Sequence, residues 1–148
     1  MNDFSYLDDI TYKTSIPFVP PIRFGKVVKV YDGDTITVAT RLYENSPIYR
    51  FQVRLAGIDC PEMKTHNEPE KQCAKLAKQL ISDTCLNQIV ELRDVELEKY
   101  GRILAKVYCN QVCLNDLLCD SHLAVAYDGG TKKCPDDWMQ YYNQTEKK

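Results

Sequence analysis

An α+β architecture, mainly β, is what the element order of this 148-residue chain predicts: a five-stranded Greek-key barrel of the OB type with about three helices. Three observations carry that expectation. Three strand-length runs with turn residues between them precede a single amphipathic helix. Two further strand runs follow it. Short helical segments then close the chain.

Residues 1–23 stand apart. They hold Pro17, Pro20 and Pro21, scattered aromatics and several acids, with no helical or strand period. They read as an extended arm, and residues 24–148 as the domain. "FGKVVKV" is the first strand, and "TITVAT", after an Asp-Gly turn, is the second. The third is "IYRFQVRLAGI", with Tyr49, Phe51, Val53 and Leu55 on one face and Arg50, Gln52 and Arg54 on the other. In "NEPEKQCAKLAKQLISDTCL", Cys73, Leu76, Ala77, Leu80 and Ile81 share a helical face. Asn67 with Glu70 forms its N-terminal cap, and Pro69 suits the first turn. "NQIVELRDVEL" and "RILAKVYC" are the fourth and fifth strands, the latter turning at Asn110-Gln111. Leu114 to Ser121 reads as a short helix. A last one starts near Asp136, with Trp138 and Tyr142 on one face.

Nineteen basic against 21 acidic residues leave a net charge of −2. That excludes a protein coated in positive charge, but it permits a local basic site. No apolar run approaches the ~18 residues of a membrane helix. The acidic start "MNDFSYLDDITYK" lacks the features of an export signal, so an intracellular, cytoplasmic setting is expected. Seven cysteines with no CxxC pair read as reduced thiols, several of them in the core. The loose set Cys109, Cys113, Cys119 and His122 matches no common zinc spacing. His66 and His122 read as surface or structural residues.

Asp34 is the first residue that a fold does not explain. The turn accounts for Asp32 and Gly33, but a carboxylate one position further on is a poor strand former and a suitable metal ligand. "RLAGIDCPE" then places Arg54, Asp59 and Glu62 within nine residues, and Arg102 follows a Tyr-Gly turn later. Phosphodiester hydrolysis needs a hard cation held by oxygens, a group to act on the attacking water, and cationic forks for the phosphoryl oxygens. Asp34 and Asp59 can fill the first role, Glu62 the second, and Arg54 and Arg102 the third.

"DGDT" (Asp32 to Thr35), "RLAGIDCPE" (Arg54 to Glu62), "EKYGR" (Glu98 to Arg102) and "HLAVAY" (His122 to Tyr127) occur in this order, and the chain thereby resembles the staphylococcal nuclease family from about Val27 to Tyr127. The resemblance implies Asp34 and Asp59 as calcium ligands, with the backbone carbonyl of Cys60 as a third. It implies Glu62 as general base and Arg54 and Arg102 on the scissile phosphate. Lys99, Tyr100 and Tyr127 would contact nucleotide phosphate and base. The implied activity is calcium-dependent hydrolysis of DNA and RNA to 3′-phosphates, by a protein with no membrane partner and a monomer by default. Departures are Cys60 in place of threonine, a short segment between Glu62 and the helix, Gly129 in place of a second tyrosine, a shorter C-terminal helix, and the arm. The rival expectation is a non-catalytic OB module binding nucleic acid or protein; some domains of this fold lose the acids and arginines that are all present here.

Overall fold

The computed structural model describes residues 2–130 and 133–144. Five strands form the barrel: β1 (Phe24–Asp32), β2 (Thr35–Arg41), β3 (Ile48–Leu55), β5 (Ile89–Leu97) and β6 (Ile103–Cys109). The first pairs are antiparallel, in the order β3-β2-β1-β5-β6, and a parallel pairing of β3 with β6 closes the cylinder. Three short strands decorate it. β7 (Val112–Cys113) pairs with β6, while β4 (Ile58–Asp59) and β8 (Val125–Ala126) pair with each other.

The predicted third strand ran on to Ile58. The structure ends β3 at Leu55 and turns at Ala56-Gly57, where Gly57 has φ 78°. A backbone in that region suits glycine. The turn sends Ile58 into the core rather than along the face of Arg54. Elsewhere alternation holds: Val53 and Leu55 are buried, and Arg50 and Gln52 exposed. Asn110 and Gln111 both have positive φ, as a two-residue hairpin turn of the right twist requires.

The helices are α1 (Glu68–Cys85), α2 (Leu114–Asp120) and α3 (Trp138–Asn143). In α1 the Asn67 side chain accepts the Glu70 N–H, and Cys73, Ala77 and Ile81 plug the barrel. α3 sets Trp138 into the core. His122 stacks on Tyr141 and bonds its carbonyl, so this histidine is structural. No disulfide occurs among the described residues, and Cys60, Cys73, Cys85 and Cys109 are buried. Among the described residues no helix is long and apolar enough to cross a membrane.

Residues 2–19 are exposed throughout, with a 3-10 turn at Ser5–Leu7 and a second hydrogen-bonded turn over residues 11–15. The chain joins the barrel at Pro20 and Ile22, both buried, and the Arg23 carbonyl accepts the Leu92 N–H.

Candidate active site

All nine residues singled out in the sequence line one cleft of about 970 Å³ at an end of the barrel. Asp34 ends the β1–β2 turn, and its carbonyl accepts the Leu55 N–H. Arg54 lies on β3 opposite Thr35. Asp59 ends β4, and the pairing of β4 with β8 sets its height above the barrel. Cys60 and Glu62 follow in the loop. Lys99 and Tyr100 occupy the β5–β6 turn, and Arg102 stands at the foot of β6. Tyr127 follows β8, tied to Gly57 by a backbone bond.

Arg54 organises the acids. Its Nη2 lies 3.1 Å from Asp59 Oδ1 and 3.7 Å from Asp34 Oδ2, with all three side chains largely buried. Tyr127 supports the guanidinium, whose centre is 5.7 Å from the ring centroid. Asp34 Oδ2 also accepts the Cys60 N–H, and its Oδ1 accepts the Thr35 hydroxyl. Burial works to raise the Asp34 carboxyl. The Asp32 hydrogen bond, the Arg54 charge and the Cys60 and Thr35 donors outweigh it and hold the group below its ordinary value.

Asp32 was read as a turn residue only. It does make the turn, accepting the Asp34 N–H, but it also lines the cleft. Burial, a hydrogen bond with Asp34 and that residue's charge push it up to about 7. A carboxyl raised above its unfolded value stabilises the fold while protonated, and that stability is lost as pH rises through 7. In chelator, Asp32→Asn should therefore raise stability over the parent by more at pH 8 than at pH 5. Urea unfolding at both pH values checks this, and an equal difference at the two would remove the coupling.

Two further acids were missed. Glu70 does not close its capping box on Asn67. Its Oε2 accepts the Glu62 N–H at 2.9 Å and its Oε1 the Thr65 hydroxyl, so α1 grips the short loop that carries Glu62. Glu98 holds Arg102 through both Nε and Nη2 and also accepts Gly101's N–H on its own carbonyl. At sequence level Glu70 reads as a helix cap and Glu98 as an ordinary solvated residue; the loop that folds back on α1 gives Glu70 its bond to residue 62, and the turn after β5 brings Arg102 onto Glu98.

The donor set suits a hard divalent cation. Asp34 and Asp59 share the Arg54 guanidinium, and Asp32 and Glu62 line the same cleft, which gathers carboxylates beside a carbonyl-bearing loop. Among the described residues no three His, Cys, Asp or Glu side chains are grouped to hold a metal unaided. Carbonyl and water oxygens would have to complete the shell, as calcium and magnesium accept and structural zinc does not. Cys60 packs its side chain in the core, where an added Cβ on Gly33 would come within 3.0 Å of its sulfur. Cys60→Thr buries a hydroxyl in that tight spot. Stability should fall by about 1–3 kcal/mol, while the backbone carbonyl stays in place and the activity proposed below stays within a few-fold. A collapse of that activity in a folded variant would give the thiol a direct role.

A closed, mixed OB barrel bearing carboxylates and arginines on one cleft defines the class. Residues 52–148 match the family described as staphylococcal nuclease homologue, and the chain belongs to that family. It is 37% identical over 94 residues to a micrococcal nuclease of Shigella flexneri, covering 64% of this chain and 47% of that protein. It is 33% identical over 103 residues to a thermonuclease of Staphylococcus hyicus, covering 68% and 57%. A further relative is an uncharacterized protein of Bacillus anthracis, 30% identical over 113 residues, covering 74% and 50%. The chain thus spans about half the length of these relatives.

Proposed function

We propose that this chain is a calcium-dependent nuclease that hydrolyses phosphodiester bonds of DNA and RNA and leaves 3′-phosphates. The observation that carries the reading is the sharing of one cleft by two guanidinium groups, Arg54 and Arg102, with Asp34, Asp59 and Glu62. A site built only to bind a polyanion has no use for so many acids. The names of two relatives, a micrococcal nuclease and a thermonuclease, support the nuclease part of the reading.

Asp34, Asp59 and the Cys60 carbonyl are the residues to hold the ion, which when bound polarises a phosphoryl oxygen as a Lewis acid. Arg54 gives the acids only Nη2, so Nη1 and Nε remain to donate to the phosphoryl oxygens. Arg102 gives Glu98 its Nε edge, which leaves Nη1 for the same phosphate. Glu62 takes one proton of the attacking water as its oxygen attacks phosphorus; the bond to the 5′-oxygen breaks with its electron pair on that oxygen, which takes a proton from solvent water and leaves as the 5′-hydroxyl. Lys99 and Tyr100 at the rim, and Tyr127 beneath Arg54, contact the neighbouring phosphate and base. The barrel from residue 24 is the catalytic unit, and the arm of residues 1–23 is a separate element.

Digestion of labelled single-stranded DNA and RNA in calcium, magnesium or EDTA tests the proposal. Cleavage in calcium that EDTA abolishes, with 3′-phosphate ends, is expected. Full activity in EDTA would overturn the metal role, and no cleavage under any condition would leave a binding module.

A further inference from the structure

We propose that the outer face of β5 and β6, continued by Arg23 and Phe24, is a track that binds single-stranded nucleic acid running out of the cleft. The proposal deepens the nuclease reading and rests on it for the identity of the substrate. Glu96 and Leu104 face each other across the two strands and line the cleft. The next outward-facing rungs of the same ladder pair Arg93 with Lys106 and Glu91 with Tyr108, and Phe24 lies beside Glu91 on β1. From Leu104 to Tyr108 is about 13 Å along the strand, so the track adds room for a few nucleotides beyond the scissile phosphate.

Its composition fits an unpaired polynucleotide. Arg93 lies over the Tyr108 ring, 4.0 Å from the centroid, and Arg23 over Phe24 at 5.2 Å. The single carboxylate of Glu91 bonds both arginines. That acid is only 17% exposed, whereas the arginine side chains are 76% and 54% exposed. The acid therefore acts as a recessed anchor, and both guanidinium groups meet solvent above it. Lys106 adds a charge whose ion pair with Asp94, at 3.8 Å between exposed groups, is cheap to break. This face carries three cations, Arg23, Arg93 and Lys106, against three acids, Glu91, Asp94 and Glu96, so what it offers a strand is stacking and exposed guanidinium groups rather than net charge. Guanidinium planes and aromatic rings are the stacking platforms that unpaired bases use, and a duplex hides its bases from them.

The probe is fluorescein-labelled dT12, with binding read by anisotropy in EDTA at low salt, where cleavage cannot interfere. The intact chain should bind it, and Arg23→Gln/Arg93→Gln should weaken binding about tenfold. The slope of log K against log salt should shrink by about 1.4, for two lost contacts to a single strand. Phe24→Ala, which removes the ring under Arg23 but no charged member of the Glu91 ion pairs, should weaken binding several-fold through lost stacking. A 12-base-pair duplex should bind less tightly than dT12. In calcium, the double variant should raise KM for dT12 while cleaving a dinucleotide substrate as the parent does. Unchanged dT12 binding in both variants, or equal affinity for the duplex, overturns the track. Failure of the parent to cleave anything refutes the nuclease reading instead, and leaves the binding result to decide the track.

Discussion

Glu62→Gln is expected to lower turnover by about 10²–10⁴ and to change nucleotide affinity far less. A positioned general base is worth a factor of that order, and glutamine keeps the shape and hydrogen-bonding reach while losing the basic oxygen. The N–H of residue 62 is bonded to Glu70, itself fixed as the third residue of α1. Exchanging the side chain leaves that anchor intact, so a loss of rate reports on proton transfer rather than on a displaced loop. Steady-state kinetics on one oligonucleotide, with inhibitor binding by a nucleoside bisphosphate, separate the two effects. Parental turnover in the glutamine variant would remove Glu62 as the base.

Arg54→Lys is the second large effect, expected to cost about 2–4 kcal/mol of transition-state stabilisation, similar to loss of a preorganised oxyanion donor. A lysine keeps one positive charge but presents no planar fork. Only one nitrogen of Arg54 serves the two acids, so an ammonium can replace that contact and the fold should survive with little loss. The donors proposed for the phosphoryl oxygens, Nη1 and Nε, have no counterpart in lysine. The loss should therefore appear in turnover rather than in substrate affinity. Thermal unfolding alongside kinetics distinguishes this from simple destabilisation. A variant that turns over like the parent would reduce Arg54 to a generic charge that keeps two carboxylates together.

Legibility in the sequence followed the range of the interaction. β3 was readable because Val53 and Leu55 alternate with Gln52 and Arg54, and a two-residue period is a local property. The start of α1 was readable because Asn67, Pro69 and Glu70 act within one turn. The strands β4 and β8 were not, since two residues carry no period and their pairing joins positions 58–59 to 125–126. The nine candidate residues were picked out by motif, and the fold gathers them around one cleft. The helpers escaped for a physical reason. Asp32 serves both a turn and the cleft, and the turn alone is enough to explain its type. Glu70 and Glu98 have roles set by the shape of the loop before α1 and of the turn after β5, irregular backbone that carries no period to read.

The seam between β3 and β6 has a consequence for how activity appears during synthesis. It comprises three rungs, Val53 to Ile103 through Leu55 to Ala105, with the Ala56 N–H bonded to the Ala105 carbonyl. The buried amide of Asn115 reinforces it, donating to Ala56 and Ala105 carbonyls and accepting the Val107 N–H. The partners across it lie some fifty positions apart in the chain, and contacts of such separation are slow to form. Arg54 stands on one side of this closure and Arg102 on the other. A growing chain on the ribosome therefore carries Asp34, Arg54, Asp59 and Glu62 well before it has the opposite wall of the cleft. No fragment that stops short of Asn115 contains the complete clasp, and the two arginines proposed for one phosphate are held across the closure by it only after translation has passed that residue.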